Sequence, residues 1–275
     1  MSSKFKFVYS QWDKLCKEIS SKNIIRLDEI LEQEKNSKWI CIKHDVETNV
    51  SKALSLARIE HKYGIKATYY VQANLVNENH KMLNEIKSLG HEVTYHYDVL
   101  DANQGDLDSA IKEFKENVEK FSSFGLEVKT VCPHGNPVMI RDGWNSNKDF
   151  FRSDKVAKLF PNILDVVVQL PDKTVNYTYI SDAGYGFKKV VNIETNDIKN
   201  DGDVKINNYS ELVKILCSND NLILSTHPHR WVSSDFRFRL NIYVFKVLRF
   251  LAKKAFKLPL LKRVISKYYF LAKKI

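Results

Sequence analysis

The chain alternates between short runs of apolar, often β-branched residues and longer stretches in which apolar residues recur at helical spacing. The short runs predict buried strands, and the helical spacing predicts amphipathic helices packed against them. The predicted strands are residues 40–45, 67–72, 91–97, 128–133, 163–169, 177–181, 189–193 and 221–226. The predicted helices between them are residues 49–63, 80–89, 106–124 and 209–217. Strands alternating with helices indicate right-handed β-α-β units, so we expect an α/β fold with a parallel sheet or barrel.

Two further segments flank this alternating region. Apolar residues at helical spacing within residues 5–36 predict two N-terminal helices that form a lid or packing layer. Residues 237–258 place apolar residues on one helical face and basic residues on another, Pro259 breaks the helix, and residues 260–275 predict a second helix. We therefore divide the chain into a helical layer, a β/α domain and a basic amphipathic tail, at residues 1–38, 39–236 and 237–275.

The net charge of +10 is concentrated in that tail. Residues 237–275 contain twelve Lys or Arg and no Asp or Glu, which leaves the first 236 residues with 31 basic and 33 acidic side chains, about −2. The body therefore indicates no general nucleic-acid-binding surface, and we expect no nucleic acid partner. The tail is either a helix packed on the body with solvated lysines or an interfacial helix attracted to anionic lipid, with an acidic partner such as RNA as a third alternative.

The four cysteines, Cys16, Cys41, Cys132 and Cys217, are widely separated and form no paired motif. This pattern predicts reduced structural thiols rather than disulfides or cysteine-bound zinc. The N-terminus shows no secretion signal, and no apolar run has the length of a membrane span. We expect a cytoplasmic protein, located at the inner face of the membrane if the tail binds lipid.

Reactive side chains follow the ends of most predicted strands. The first strand ends in His44, Asp45 and Glu47, whose burial is costly unless they are paired or bind a metal. The later strand ends carry His96 with Tyr97 and Asp98, then His134, then Asp182, and finally the run from His227 to Trp231. Each alone has a plain structural explanation, such as a helix cap or a satisfied loop histidine. Because the carboxyl ends of parallel strands meet on one face, we expect the set to converge in an active site.

Five segments of the chain carry a family resemblance. They are His-Asp-Val-Glu at 44–47, Gly-His-Glu-Val-Thr-Tyr-His-Tyr-Asp at 90–98, Pro-His-Gly at 133–135, Ser-Asp-Ala-Gly at 181–184 and Leu-Ser-Thr-His-Pro-His-Arg-Trp at 224–231. In this order they resemble the polysaccharide deacetylase family, also called the NodB-homology domain or carbohydrate esterase family 4, in its divergent branch associated with surface-polysaccharide biosynthesis. The resemblance covers about residues 39–231 and implies a distorted parallel (β/α) barrel with fewer than eight units.

The resemblance also implies a chemistry. Members of the family remove an N-acetyl group from a sugar with a divalent metal, usually zinc, that one acid and two histidines hold. Asp45 matches the family's base, Glu47 and His96 its metal ligands, His227 its general acid, and Asp182 the acid that orients a catalytic partner. His134 stands where the family has a groove-lining segment, so we expect His134 and Trp231 to contact the substrate.

The match departs from the family at the metal site. Leu100 occupies the position of the second metal histidine, four residues after His96, and we expect Asp98 to substitute from the nearby loop. A site richer in carboxylates would suit manganese or magnesium, and a mixed histidine–carboxylate set can hold iron. An alternative register makes Asp45 a ligand in place of Glu47, so those two roles stay open.

These observations predict a metal-dependent hydrolase that removes an N-acyl group from an amino sugar of a glycan, or of a lipid-linked or nucleotide-linked precursor. Leu100 supports a first alternative, a catalytically inactive barrel that binds glycan or a biosynthetic partner. Hydrolysis of a non-sugar amide on the same scaffold is the second alternative, since substrate choice depends on loops that the pattern does not place.

Overall fold

The computed structural model describes residues 5–34, 37–136, 139–182, 185–198, 202–218 and 221–255, and of residues 248–255 the backbone alone. The strands are β1 (Ile24–Ile25), β2 (Ile40–Val46), β3 (Thr68–Val71), β4 (Glu92–Tyr97), β5 (Thr130–Pro133), β6 (Leu164–Asp165), β7 (Thr178–Ser181), β8 (Lys188–Val190), β9 (Val204–Lys205) and β10 (Leu222–Thr226). The helices are α1 (Tyr9–Ile19), α2 (Val50–Lys62), α3 (Val76–Ser88), α4 (Val99–Ala102), α5 (Leu107–Ser123), α6 (Asp149–Arg152), α7 (Asp154–Leu159), α8 (Tyr209–Leu216) and α9 (Asp235–Ala255). Short 3-10 helices span Leu27–Glu32, Ala73–Leu75 and Pro228–Arg230.

The strands pair in the order β6-β5-β4-β3-β2-β10-β7-β8-β9, and β1 pairs with the amino end of β2. Every pair from β6 to β7 in this order is parallel, whereas β8 and β9 add two antiparallel pairs at one end. The helices α2, α3 and α5 lie between successive parallel strands. The predicted α/β fold with a mostly parallel sheet is therefore confirmed.

The sheet is strongly curved. One hydrophobic cluster contains Cys132 of β5, Leu164 of β6, Tyr179 of β7 and Val190 of β8, although β5 and β6 stand at the opposite end of the pairing order from β7 and β8. A flat sheet could not bring these side chains together, so the sheet curls around the cluster as in a barrel. Within the described residues, β6 and β9 do not pair with each other.

A larger cluster fills the space between the outer face of the sheet and the helices. Successive side chains of a strand point to opposite faces, so Ile40 and Ile42 join this outer cluster while Cys41 joins the inner one. His44 has the same parity as Ile42 and lies on the outer face, away from Asp45. Its Nε2 lies 2.7 Å from Glu60 Oε1, with both side chains fully buried.

Glu60 is the centre of a buried polar cluster beneath α1 and α2. The Trp12 indole donates a hydrogen bond to Glu60 at 3.1 Å, and the Tyr69 hydroxyl donates one at 2.6 Å. Burial alone would raise the pKa of Glu60, but His44 lowers it below its usual value. His44, expected among the reactive strand-end residues, therefore serves the packing of helices on the sheet.

Helix ends follow local sequence rules. Gly64, Gly90 and Gly125 follow α2, α3 and α5 with φ of 69°, 95° and 74°, the left-handed conformation that glycine adopts most easily. The Asp106 side chain accepts a hydrogen bond from Ser109 N at 3.3 Å and so caps α5. These glycines stand where the sequence predicted the helices to end.

Several predicted elements differ in length from the structure: the helix predicted over residues 80–89 begins at Val76, and the strand predicted over residues 189–193 ends at Val190. Two larger differences have a physical explanation. The second N-terminal helix is instead β1 followed by a 3-10 helix, which crosses the amino ends of the strands: Leu27 N donates to Thr68 Oγ1 at 2.9 Å. The strand predicted over residues 163–169 ends at Asp165. The Asp165 carboxylate accepts from Val167 N and Val168 N, both at 2.8 Å, and turns the chain away from the sheet.

Candidate functional site

Most of the predicted strand-end residues converge on one edge of the parallel strands. Asp45 and Glu47 come from the end of β2, His96 from β4, His134 from the residue after β5, and His227 from the residue after β10. All five side chains are buried or nearly so. Together with Asp182, the residue after β7, they form two adjacent groups, a Glu–His–His group and an Asp–His–Asp group, which are described in turn.

The Glu–His–His group consists of Glu47, His96 and His134. Glu47 Oε1 lies 3.0 Å from His134 Nδ1 and 4.0 Å from His96 Nε2, and the two histidine nitrogens lie 3.2 Å apart. A tetrahedral zinc with bonds of about 2.0–2.1 Å separates its ligand atoms by about 3.3 Å. Three ligand atoms at these distances, from one carboxylate and two imidazoles, fit a divalent metal.

A backbone contact prepares His96 as a ligand. His96 Nδ1 lies 2.9 Å from the Cys132 carbonyl oxygen, which can only accept, so Nδ1 carries the proton and Nε2 keeps its lone pair. Burial is the main reason that the pKa of His96 falls to about 3, so the ring is neutral at physiological pH. A neutral imidazole whose second nitrogen donates to a carbonyl is the usual arrangement of a metal-ligating histidine.

His134 supplies the second histidine of this group, whereas the sequence has Leu100 at the position that the family resemblance assigns to that ligand. We expected Asp98 in that role, but Asp98 is the half-buried residue that precedes α4, and it belongs to neither group of potential ligands in the described residues. Leu100 is buried in the hydrophobic cluster outside the sheet. The geometry therefore favours Glu47, His96 and His134 as the ligand set.

Asp45 lies beside this group with an unexpected partner. Lys43 Nζ donates to both Asp45 oxygens, at 2.8 and 3.1 Å, and only 1% of the lysine side chain is exposed. Burial alone would raise the pKa of Asp45, but the Lys43 ammonium outweighs it and the pKa falls to about 2. Asp45 is therefore ionised and held in one orientation.

A second set of potential ligands contains Asp45, His96 and Cys132. It corresponds to the register in which Asp45 rather than Glu47 binds the metal. Burial raises the pKa of the Cys132 thiol, and thiols bind metals as thiolates, so this set fits a metal less well than the Glu–His–His group. The arrangement leaves Asp45 available for proton transfer.

The Asp–His–Asp group places His227 between Asp45 and Asp182. His227 Nε2 lies 3.9 Å from Asp45 Oδ2, and His227 Nδ1 lies 2.6 Å from Asp182 Oδ1. Asp182 also accepts from the His227 backbone N–H at 3.0 Å and from the Thr226 hydroxyl at 2.6 Å. The Arg230 guanidinium donates to the same carboxylate.

Asp182 therefore fixes the tautomer of His227, with the proton on Nδ1 and Nε2 turned toward Asp45. Burial alone would raise the pKa of Asp182, but Arg230 and His227 hold it well below its usual range. In the sequence, Asp182 resembles the family only through the four-residue segment Ser-Asp-Ala-Gly at 181–184. Its contacts make it a positioning residue for His227.

We expect Asp182→Ala to lower the free energy of unfolding by about 3–5 kcal/mol, because it leaves Arg230 partly buried without its carboxylate. Urea denaturation followed by circular dichroism measures the change. The control is Asp108→Ala, which breaks an exposed ion pair with Lys155 and should cost less than about 1 kcal/mol. Equal losses in the two variants would contradict the structural role of the Asp182 cluster.

Trp231 does not line the site, which corrects the expectation that it contacts substrate. Its ring is fully buried, and its indole N–H donates to Thr226 Oγ1 at 2.8 Å. It packs edge-on against Trp12 and Phe7, with ring centroids 4.8 and 5.1 Å away. Trp231 therefore fixes the end of β10 from the outer side of the sheet.

Sequence reasoning missed three residues of the site. Lys43 and Cys132 lie inside predicted strands, and the sequence does not show which face of the sheet either side chain occupies. Lys43 Nζ lies 2.8 Å from Cys132 Sγ as well as from Asp45. His229 lies within the last of the five segments, residues 224–231, but was given no role, and its ring centroid is 5.6 Å from that of His227. Its position within the run of residues 227–231 was the one available signal.

No protein-family model and no curated protein matches the sequence. Among solved structures, the chain is similar to a carbohydrate esterase family 4 pseudoenzyme from Bacillus anthracis, with 14% identity over 71% of this chain and 56% of that one, and a TM-score of 0.44. It is also similar to the family 4 carbohydrate esterase from Streptomyces lividans in complex with acetate, with 14% identity over 71% and 81% of the two chains and a TM-score of 0.43.

A third similar structure is the polysaccharide deacetylase Bc1974 from Bacillus cereus, with 16% identity over 77% of this chain and 87% of that one, and a TM-score of 0.42. The chain spans just over half the length of the Bacillus anthracis protein. At these identities and scores the likeness carries no argument about activity, which depends on the geometry of the site.

Proposed function

We propose that the protein is a metal-dependent hydrolase that removes an N-acyl group, such as acetyl, from an amino sugar. The observation that carries the proposal is the Glu47–His96–His134 group, three buried metal-ligand atoms within 4.8 Å of one another, beside an ionised aspartate and an oriented histidine. When bound, a divalent metal supplies Lewis acidity toward water and the amide carbonyl. Zinc suits the two imidazoles best, and manganese, iron or magnesium are the alternatives.

The protein's own side chains account for the proton transfers. Asp45, ionised and held by Lys43, accepts the proton of the attacking water. His227 acts as the imidazolium: its Nδ1–H donates to Asp182, and its Nε2–H passes to the leaving amine nitrogen. The proton that Asp45 took from the water then returns to His227 Nε2, which restores both groups. The two groups are 3.9 Å apart, so they can act on the same amide bond.

The test is acetate release by the zinc-loaded full chain from two probes, an N-acetylglucosamine oligomer and a nucleotide-linked N-acetylhexosamine. We expect release from at least one probe, lowered at least about 100-fold in His227→Ala because general acid catalysis contributes about 10²–10⁴-fold. His61→Ala, an exposed histidine on α2, is the control and should keep full activity. Stoichiometric metal with no acetate from either probe would argue against the proposal.

One observation favours a second candidate, an inactive barrel that binds glycan or a partner. A carboxylate with a pKa of about 2, tied to Lys43 through both oxygens, is a weak base at neutral pH. In that case the metal group would be structural or would bind a sugar. Glycan binding that persists in a metal-loaded protein without acetate release would select this candidate.

We further propose that the substrate is a lipid-linked or nucleotide-linked amino sugar in the cytoplasm, used in the assembly of a cell-surface polysaccharide. The cytoplasmic location is supported by the four scattered cysteines, which are all free and of which three are buried, as is usual in a reducing compartment. Comparing lipid-linked and nucleotide-linked probes in the same acetate assay separates these substrate classes from free oligosaccharide.

A further inference from the structure

The helix α9 exposes a continuous apolar stripe. Phe236, Leu240, Tyr243 and Val247 are 75%, 50%, 67% and 39% exposed. They are spaced by four, three and four residues, so they lie on one face of the helix. Exposed apolar side chains that line up in this way mark a surface that another molecule covers.

A different face of the same helix packs on the body. The Phe238 ring lies 6.2 Å from the Phe7 ring, and the Phe245 ring lies 5.0 Å from the Tyr185 ring. The sequence predicted one apolar face for the tail, which was either packed or free. The structure divides the apolar residues of α9 between a packed face, which includes Phe245, and an exposed stripe, and attraction to anionic lipid stays a prediction.

Positive charge surrounds the stripe. Arg237, Arg239 and Lys246 are exposed on α9, and Asp235 at its first turn is paired with Lys6. From residue 237 to the last residue, the sequence contains twelve basic and no acidic side chains. Apart from Asp235, which Lys6 pairs, the exposed charged neighbours of the stripe are basic, and this combination matches a surface that offers both hydrocarbon and negative charge.

We propose that α9 binds an anionic membrane surface through Phe236, Leu240, Tyr243 and Val247, with Arg237, Arg239 and Lys246 near the lipid headgroups. A second copy of the chain fits less well, because a two-fold contact between two α9 helices would bring like charges together. Within residues 5–255 as described, no helix is long and apolar enough to cross a membrane. The proposal is therefore attachment from one side, independent of the hydrolase activity.

The helix also lies next to the candidate site. Phe245 packs on Tyr185, and the Arg230 guanidinium lies 5.7 Å from the Tyr185 ring centroid while pairing with Asp182. Phe245 lies on the opposite face of α9 from the stripe, so membrane attachment would hold the Tyr185 side of the site one helix diameter, roughly 10–12 Å, from the lipid surface. This consequence, unlike the attachment itself, rests on the proposed function and suits a lipid-linked substrate.

The experiment is sedimentation of the full chain with vesicles of phosphatidylcholine, alone or mixed with phosphatidylserine. We expect binding to the mixed vesicles only, and weakening between about 0.1 and 1 M salt as the Debye length falls from about 10 to about 3 Å. Phe236→Ser with Leu240→Ser and Tyr243→Ser should lower the partition coefficient at least about tenfold. Arg237→Glu with Arg239→Glu should do the same, and these exposed side chains leave the packed face intact.

Matched controls change equally exposed residues elsewhere. Leu31→Ser with Leu159→Ser and Ile198→Ser removes exposed apolar area, and Lys112→Glu with Lys115→Glu makes the same change in charge on α5. Both control variants should bind like the original chain. Binding that ignores lipid charge, survives the α9 variants or falls equally in the controls would overturn the proposal. So would a concentration-dependent dimer that the apolar α9 variant abolishes, since a second copy would then cover the stripe.

Discussion

His134→Ala will lower the affinity for zinc at least about 100-fold, and Glu47→Gln will do the same. Even residues that only support a metal ligand typically change affinity 10- to 100-fold, so loss of a ligand should reach or exceed that range. The reason lies in three ligand atoms separated by 3.0, 3.2 and 4.0 Å: His134→Ala removes one of them, and Glu47→Gln replaces a charged carboxylate oxygen with a neutral amide, which binds a divalent metal more weakly. Metal analysis and competition with a chromophoric chelator measure stoichiometry and affinity.

Asp98→Asn is the matched control, since Asp98 is the ligand that the sequence suggested and the structure leaves outside the group. It should change zinc affinity by less than about threefold, well below the effect of losing even a supporting residue. Cys132→Ser tests the second set of potential ligands, Asp45, His96 and Cys132, in the same way. If Asp98→Asn or Cys132→Ser lost the metal while His134→Ala kept it, the ligand assignment would be wrong.

Asp45→Asn will lower acetate release by about 10²–10⁴-fold while the protein still binds zinc, since an amide cannot accept the proton of the water. Retention of metal decides the role that the sequence left open between Asp45 and Glu47. If Asp45 were a ligand, the variant would lose zinc affinity and activity together. Zinc titration and the acetate assay on the same preparation distinguish the two outcomes.

The ion pair between Lys43 and Asp45 allows a loss of activity to be distinguished from a loss of stability. Asp45→Asn leaves the buried Lys43 ammonium without its partner and should cost about 3–5 kcal/mol of unfolding free energy. Lys43→Met should cost a similar amount, because it leaves a buried carboxylate unpaired. The double variant leaves no unpaired buried charge, so its loss should be smaller than either single loss and well below their sum.

The double variant should therefore be better folded than Asp45→Asn and equally inactive. Urea unfolding gives the three free energies, and the acetate assay gives the activities. Recovery of activity along with stability would mean that Asp45 acts through folding alone, and the proton-transfer role would be abandoned. Simple additivity of the two single losses would mean that Lys43 and Asp45 do not interact as the 2.8 Å contact indicates.

The sequence predicted most of the parallel strands to within a few residues, because each is a short apolar run bounded by turn residues or glycine. β2 and β4 were placed within one or two residues of their observed bounds. The strand end in front of His227 was equally clear. Because parallel strands place their carboxyl ends on one edge, this local information sufficed to bring Asp45, Glu47, His96, Asp182 and His227 together.

The direction of each side chain was decided only by the tertiary structure. A parallel strand buried on both faces is apolar on both, so alternation in β2 could not tell whether His44 or Asp45 faces the interior. In the folded sheet, Lys43 and Asp45 point to the inner face, and His44 points to the outer face, where it contacts Glu60. Nothing in the local sequence of β2 distinguishes these two outcomes.

Contacts between distant strands decided the rest. His134 reaches Glu47 and His96 because β5 lies beside β4, and no spacing along the chain reveals a ligand set drawn from β2, β4 and β5. Trp231 is only four residues from His227, yet its ring packs against Trp12 of α1 on the outer side of the sheet. A sequence determines which residue types stand at the strand ends, whereas the curvature and pairing of the sheet determine which of them can touch one another.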